Sequence, residues 1–137
     1  MTDCIFCKII SGEIPASKIF ENSQIIAFMD AGQVNPGHVI VATKQHVQNI
    51  YDLKADLAAA VFQAAARIAK AVKESMQPAG MTLLQANEKA GWQTVEHFHI
   101  HVLPRHFEDG VTLTWPVKNP PKEALDRLAD KVKGEIA

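Results

Sequence analysis

Three histidines alternate with apolar residues in the second half of the chain: His97-Phe98-His99-Ile100-His101, running on into Val102-Leu103-Pro104. Period-two alternation predicts a half-buried β-strand, with Phe98, Ile100 and Val102 toward the core and the three imidazoles on the opposite face. A face made only of imidazole suits neither solvent nor an apolar core, so the pattern points to chemistry. One zinc ion shared by all three does not fit a straight strand. Residues i and i+4 lie roughly 13 Å apart along it, at about 3.3 Å per residue, whereas zinc holds its nitrogens at about 2.0–2.1 Å. At most a pair converges on one ion, and a metal-dependent hydrolase built on such a pair is one reading. Phosphoryl chemistry is the other. Neutral imidazole is a populated nucleophile near pH 7, and neighbouring imidazoles can fix its tautomer or donate to developing negative charge. Asn87, Gln93 and Thr94, just upstream, supply further donors without adding negative charge.

The elements that must position these residues are readable in outline. Lys18–Glu21 and Gln24–Asp30 flank Asn22-Ser23 and predict a tight hairpin. Asn35-Pro36-Gly37 is a turn, and His38–Thr43 is a third strand, apolar enough to be central. Asp52 is the expected N-cap of a long helix. Leu53, Leu57, Val61, Ile68 and Val72 recur in it at helical spacing, and Pro78 and Gly80 end it near Met76. Met81–Ala86 is a fourth strand, followed by a glycine-containing loop, Asn87–Gln93, that leads into the histidine strand. An irregular stretch after Pro104-Arg105 reaches Pro121, where a C-terminal amphipathic helix begins with Leu125, Leu128 and Val132 on one side. The prediction is a single α+β domain over residues 1–137, with a mainly antiparallel five-stranded sheet, one long helix and a C-terminal helix.

Composition excludes several classes. With 47% hydrophobic and 21% charged residues, the chain has the make-up of an ordinary globular domain. The net charge is -1, and the Lys and Arg residues are spread, so there is no basic stripe for a nucleic-acid partner. No apolar stretch approaches the ~18 residues of a membrane span. The N-terminal apolar run breaks at Lys8 and lacks a signal-peptide core, and two cysteines do not make a disulfide framework. A cytoplasmic location is expected. Cys4-x-x-Cys7 has three readings: a redox pair, unpaired buried thiols, or two ligands of a structural zinc that needs two more.

The stretch Gln93-Thr94-Val95-Glu96-His97-Phe98-His99-Ile100-His101 closely resembles the Q-S/T-V-x-H-x-H-x-H pattern of the histidine triad family, in its branch of small nucleotide-binding proteins. Cys4–Ile10, Gly12–Pro15, Ala27–Asp30 and Pro36–Val41 match in the same order. The resemblance implies that His99 is the nucleophile on the α-phosphorus of a nucleoside phosphate derivative, that His38 orients it, and that His101 contacts phosphate oxygen. It implies further phosphate or leaving-group contacts from Asn87, Gln93 and Thr94, a ribose contact from Asp30, and base-pocket walls from Phe6 and Phe28. Relatives of this kind are homodimers whose sheets join and whose long helix contributes to the interface. They bind a purine nucleotide or nucleoside conjugate and hydrolyse nucleoside phosphoramidates through a nucleotidyl-histidine, without metal in the chemistry. Dinucleoside polyphosphate hydrolysis and a nucleotide-binding scaffold are the alternatives. The resemblance to bacterial relatives with Cys-x-x-Cys implies a structural zinc on Cys4, Cys7, His46 and His97, with His106 left at the surface. Two residues depart from the pattern: Trp92 stands where the family more often has Gly, and Glu96 where it has an apolar residue.

Overall fold

Strands β2 (Ile25–Met29) and β3 (Val39–Thr43) are apolar except for the terminal Thr43 because both faces of the sheet at their position are covered. The computed structural model describes residues 3–136. Its five strands, β1 (Lys18–Glu21), β2, β3, β4 (Gly80–Leu84) and β5 (His99–Arg105), form one antiparallel sheet in the order β1-β2-β3-β5-β4. On one face, Ile25, Ala27, Val39, Val41, Ile100 and Val102 pack with Phe98 against Leu57, Val61, Ala64, Ala65, Ile68 and Val72 of the long helix α2 (Ala55–Met76). The alternate residues Ile26, Phe28, Ile40 and Ala42 face the other way and pack with Phe6 and Ile9 of the short helix α1 (Ile5–Ile10). His99 and His101 belong to that second face. They pair across the ladder with Ala42 and Ile40, so the sheet alone sets their spacing and their side.

The α+β class, the five strands and the histidine face agree with the sequence reading, and the differences are local. The histidine strand starts at His99 instead of His97, because the chain after Thr43 leaves the sheet and offers His97 no ladder partner. The expected N-cap Asp52 lies instead in a 3-10 turn, Ile50–Asp52, which Asn49 caps by accepting the Tyr51 N–H. Helix α2 then starts at Ala55 without a side-chain cap. It ends at Met76 as expected, with Gln77 in the left-handed region (φ 51). Helix α1 was not foreseen, since six residues carry too little periodicity to reveal one. Helix α3 (Lys122–Lys133) follows Pro121 as expected, but its Leu125, Leu128 and Val132 are more than half exposed.

The turn before β3 carries His38 and is locked to the far end of β5. Asn35 Nδ2 donates to the Pro104 carbonyl (2.9 Å) and to Asp109 Oδ2 (3.0 Å), and Arg105 Nε holds the same carboxylate oxygen at 2.7 Å. Gly37 lies in this turn at φ +100, and a Cβ there would meet Met76 Cγ at 2.7 Å. Gly37→Ala is therefore expected to cost about 1–2 kcal/mol of stability through backbone strain and crowding. Urea unfolding of the variant checks this; an unchanged midpoint would show that the turn relaxes freely.

Candidate functional site

Burial keeps these imidazoles neutral, and a neutral imidazole must choose which nitrogen carries its proton. His38, His97 and His99 are all buried. Desolvation lowers the pKa of each, only partly opposed by Asp30 at His38 and by backbone hydrogen bonds at His97 and His99. His101 is lowered to about 4, first by burial and then by repulsion from His99 and His38.

The hydrogen-bond partners assign the tautomers. His99 Nδ1 lies 2.6 Å from the His97 carbonyl, which can only accept, so Nδ1 carries the proton and Nε2 keeps its lone pair. That Nε2 has no partner among the described residues. No buried side-chain nitrogen or oxygen among them lacks one, so it reaches solvent. His38 Nδ1 accepts the Val34 N–H at 3.3 Å, which puts the His38 proton on Nε2. His38 Nε2 then donates to His101 Nδ1 at 2.9 Å, with Asp30 Oδ2 beside it at 3.4 Å. His101 Nδ1 to Asp30 Oδ2 is 3.8 Å, too long for a hydrogen bond. His101 must therefore carry its proton on Nε2. Two neighbouring rings, with centroids 5.0 Å apart, expose opposite functions: a lone pair on His99 and an N–H on His101.

The assignment separates two clusters that composition alone cannot. Asp30, His38 and His101 lie close enough together for a divalent ion. The proton on His38 Nε2 makes them a hydrogen-bonded chain instead, which argues against the metal-hydrolase reading. Cys4, Cys7, His46 and His97 differ. Their closest contacts are Cys4 Sγ to His97 Nδ1 at 3.3 Å, Cys7 Sγ to His46 Nδ1 at 3.4 Å and Cys7 Sγ to His97 Nδ1 at 3.6 Å. A tetrahedral zinc with bonds of about 2.0–2.3 Å to nitrogen and sulfur requires ligand separations of roughly 3.6 Å. His97 Nε2 lies 2.6 Å from the Thr43 carbonyl, so the proton is there and the Nδ1 lone pair faces the sulfurs. The donor set fits a metal ion.

The remaining expected residues divide. Asp30 sits beside His38 and His101, and its Oδ1 accepts the Gly32 N–H. His38 meets His101, while the backbone of His97 orients His99, so the expected contact of His38 to His99 is replaced by a contact to its neighbour. The phosphate contact expected of Gln93 finds no free donor on its side chain, because both amide N–H groups are engaged. Nε2 donates to the Gln48 and Val95 carbonyls and Oε1 accepts the Glu88 N–H, so the side chain holds the loop in shape. Asn87 is tied to Ile50 and Gln85 with one N–H left over, and Thr94 is exposed. Phe6 and Phe28 are 5% and 3% exposed, too little for stacking a base as they stand. Their rings meet edge to face, and Phe6 meets the His99 ring at 4.9 Å. An open cleft of about 1100 Å³ borders the loop, lined by Cys4, His46, Trp92, Gln93, Thr94 and Glu96 among others; His99 and His101 are not part of its wall. Trp92 is at φ 78, the left-handed backbone that favours glycine at this position. Glu96 and His106 are exposed, as expected. The Val34 N–H and the Thr43 carbonyl act through the backbone, and no side-chain pattern could have revealed them.

A five-stranded antiparallel sheet with His99 and His101 on one face of β5, His97 just before that strand and His38 in the turn before the adjoining one defines a class, and similarity to known proteins agrees. The chain belongs to the HIT domain family, which matches residues 11–108. It is 43% identical over 115 residues to "Protein hit" of Bacillus subtilis, covering 82% of this chain and 79% of that one. It is 32% identical over 139 residues to an adenosine 5'-monophosphoramidase of Candida albicans, covering 98% and 91%. Among solved structures, a HIT family protein from Bacillus anthracis superposes with a TM-score of 0.94 at 37% identity, covering 98% of both chains. A Zn-bound histidine triad family protein from Mycobacterium smegmatis superposes at 0.76 with 30% identity, covering 98% and 99%.

Depressed imidazole pKa values have a defined consequence for stability. As pH falls below about 6.5, the unfolded chain takes up protons that native His101 refuses until about 4. Native stability is thus intact above 6.5 and declines as pH falls toward 4. The urea midpoint should fall between pH 7 and pH 4.5, and His101→Gln should flatten that dependence; a midpoint rising on acidification would contradict it.

Proposed function

We propose that this protein is a nucleotide hydrolase that cleaves the α-phosphate bond of nucleoside phosphoramidates or related conjugates through a nucleotidyl-histidine on His99. The observation that carries the reading is the pair of opposite tautomers on His99 and His101. His99 Nε2 attacks the α-phosphorus and forms the new phosphorus–nitrogen bond, while the bond from phosphorus to the leaving amine breaks with its electron pair on the amine nitrogen, which takes a proton from solvent. The His101 Nε2–H donates to a phosphate oxygen as charge develops, and the His38 Nε2–H holds His101 in that state. Water then attacks phosphorus and gives up a proton to solvent as the His99 nitrogen–phosphorus bond breaks, releasing the nucleoside monophosphate and restoring the Nε2 lone pair of His99. Asp30 offers a two-oxygen acceptor for ribose hydroxyls, and Asn87 and Thr94 retain donors at the mouth of the site. The name of the Candida albicans relative supports an adenosine phosphoramidate as the substrate class.

We propose further that Cys4, Cys7, His46 and His97 hold zinc, supported by their donor geometry and by the Zn-bound Mycobacterium smegmatis neighbour. When bound, the metal supplies a fixed crosslink between α1, the turn after β3 and the start of the histidine strand. A homodimer fits the exposed apolar stripe of α3, Phe62 exposed on α2, and the unpaired edge of β4 at the end of the sheet. The absence of any membrane-crossing helix among the described residues fits a cytoplasmic setting.

His99→Ala should lower turnover of an adenosine phosphoramidate at least ~1000-fold, the scale of losing a covalent nucleophile, while AMP binding by calorimetry changes little. Wild-type turnover in that variant would end the nucleophile assignment. Elemental analysis should find one zinc per chain, and Cys4→Ser should reduce it strongly; a stable wild-type preparation free of metal would end the zinc assignment.

A further inference from the structure

His97 sits between the metal cluster and the nucleophile and is bonded to both. It is completely buried and uses every polar group it has. Nδ1 faces the Cys4 and Cys7 sulfurs at 3.3 and 3.6 Å, Nε2–H donates to the Thr43 carbonyl at 2.6 Å, and its own N–H donates to the Val95 carbonyl at 2.8 Å. Its carbonyl accepts the His99 Nδ1–H at 2.6 Å. His97 precedes β5, so no ladder hydrogen bond fixes the plane of the peptide that bears this carbonyl. Two anchors fix it: the side chain on the same residue, and the Phe98 N–H of the same peptide, which donates at 2.6 Å to the carbonyl of Val47, the residue next to His46. A second link runs in parallel. Phe6 lies one residue before Cys7 on α1, with its edge against the His99 ring at 4.9 Å and the His97 ring at 5.7 Å. Movement of α1 away from the cluster therefore releases the His99 ring as well as the carbonyl that sets its tautomer.

We infer that His97 is a positioning residue through which metal occupancy of the Cys4–Cys7–His46–His97 cluster controls the tautomer and orientation of His99, so that the metal tunes activity as well as crosslinking the fold. The inference rests on the reading of His99 as nucleophile. With the cluster unloaded, two thiols and two imidazoles are joined only by weak sulfur contacts, and both anchors of the peptide following His97, its own ring and the chain at His46-Val47, are loosened together. His99 Nδ1 then loses its acceptor, the two tautomers approach equal energy, and the form with the proton on Nε2 has no lone pair to attack phosphorus. The sheet does not depend on the cluster in the same way. None of the four ligands belongs to the larger apolar core between the sheet and α2.

The test compares full-length protein loaded with zinc against the same protein stripped by chelator, with His46→Gln as a second route to loss of metal. Long-range proton–nitrogen NMR reads the His99 tautomer directly and needs no substrate, so it stands even if the phosphoramidase reading fails. The expected result is a single Nδ1–H tautomer in loaded protein and a mixture in stripped protein whose circular dichroism is unchanged. The kcat for an adenosine phosphoramidate should fall about 10- to 100-fold, the range for loss of outer-shell support at a metal-linked site, with KM within about twofold, and zinc should restore both tautomer and rate in wild type but not in His46→Gln. A folded, stripped protein that keeps the Nδ1–H tautomer and its kcat overturns the inference. Unfolding on stripping also overturns it, because the metal's role is then structural alone. Failure of the nucleophile reading itself has a separate signature: a loaded His99→Ala variant with undiminished turnover.

Discussion

Desolvation of one sheet face governs this molecule. With helix α2 covering one side of β2, β3 and β5 and helix α1 covering the other, the alternate residues of those strands lie in apolar surroundings whichever way they point. Four imidazoles fall on the α1 side. Their charged forms are disfavoured there, so each is neutral, and a neutral imidazole is directional, with one donor and one acceptor. Water would average that direction away. Buried partners select it instead: a carbonyl for His99, another carbonyl for His97, an amide for His38, and His38 in turn for His101. The chemistry of the face thus follows from where protons sit, and that follows from backbone groups whose positions the ladder and the turns determine.

This explains what the sequence revealed and what it withheld. Alternation in His97–Val102 sufficed to place His99 and His101 opposite Ile100 and Val102, because side-chain direction in a strand follows parity. The apolar run of His38–Thr43 marked β3 as a central strand. Helix α1 left little trace, since its identity lies in tertiary packing of Phe6 and Ile9 and not in periodicity. The partner of His38 was equally hidden. Val34 and Thr43 act through amide and carbonyl groups that every residue type possesses, so no pattern of side chains could single them out. Gln93 shows the opposite error: a polar side chain near a site suggests a ligand contact, but a primary amide buried in a loop is more valuable as a scaffold for three backbone groups.

Parity also separates the roles of the triad. His99 and His101 are neighbours on the strand, related by two residues, and the ladder holds both. His97 is their continuation in sequence but not in the sheet, because its would-be partner strand has ended at Thr43. That single break lets its ring turn toward the cysteines of α1 while its carbonyl still faces His99. Had β3 run two residues further, the ladder would have claimed the backbone of this segment, and the histidine would have been a third member of a uniform row.

The clamp formed by Asn35, Pro104, Arg105 and Asp109 has a bearing on motion. The turn that presents His38 and the strand that presents His101 are joined at the His38–His101 contact and again, beyond the end of that ladder, through Asn35 and Asp109. Neither segment can swing like a hinged lid without breaking both attachments. His38 and His101 are thus held to one another at two separate points, and local opening between them requires the loss of both. The segment from Glu88 to Glu96 lies outside this clamp and is held separately, by Gln93 through the Glu88 N–H and the Gln48 and Val95 carbonyls.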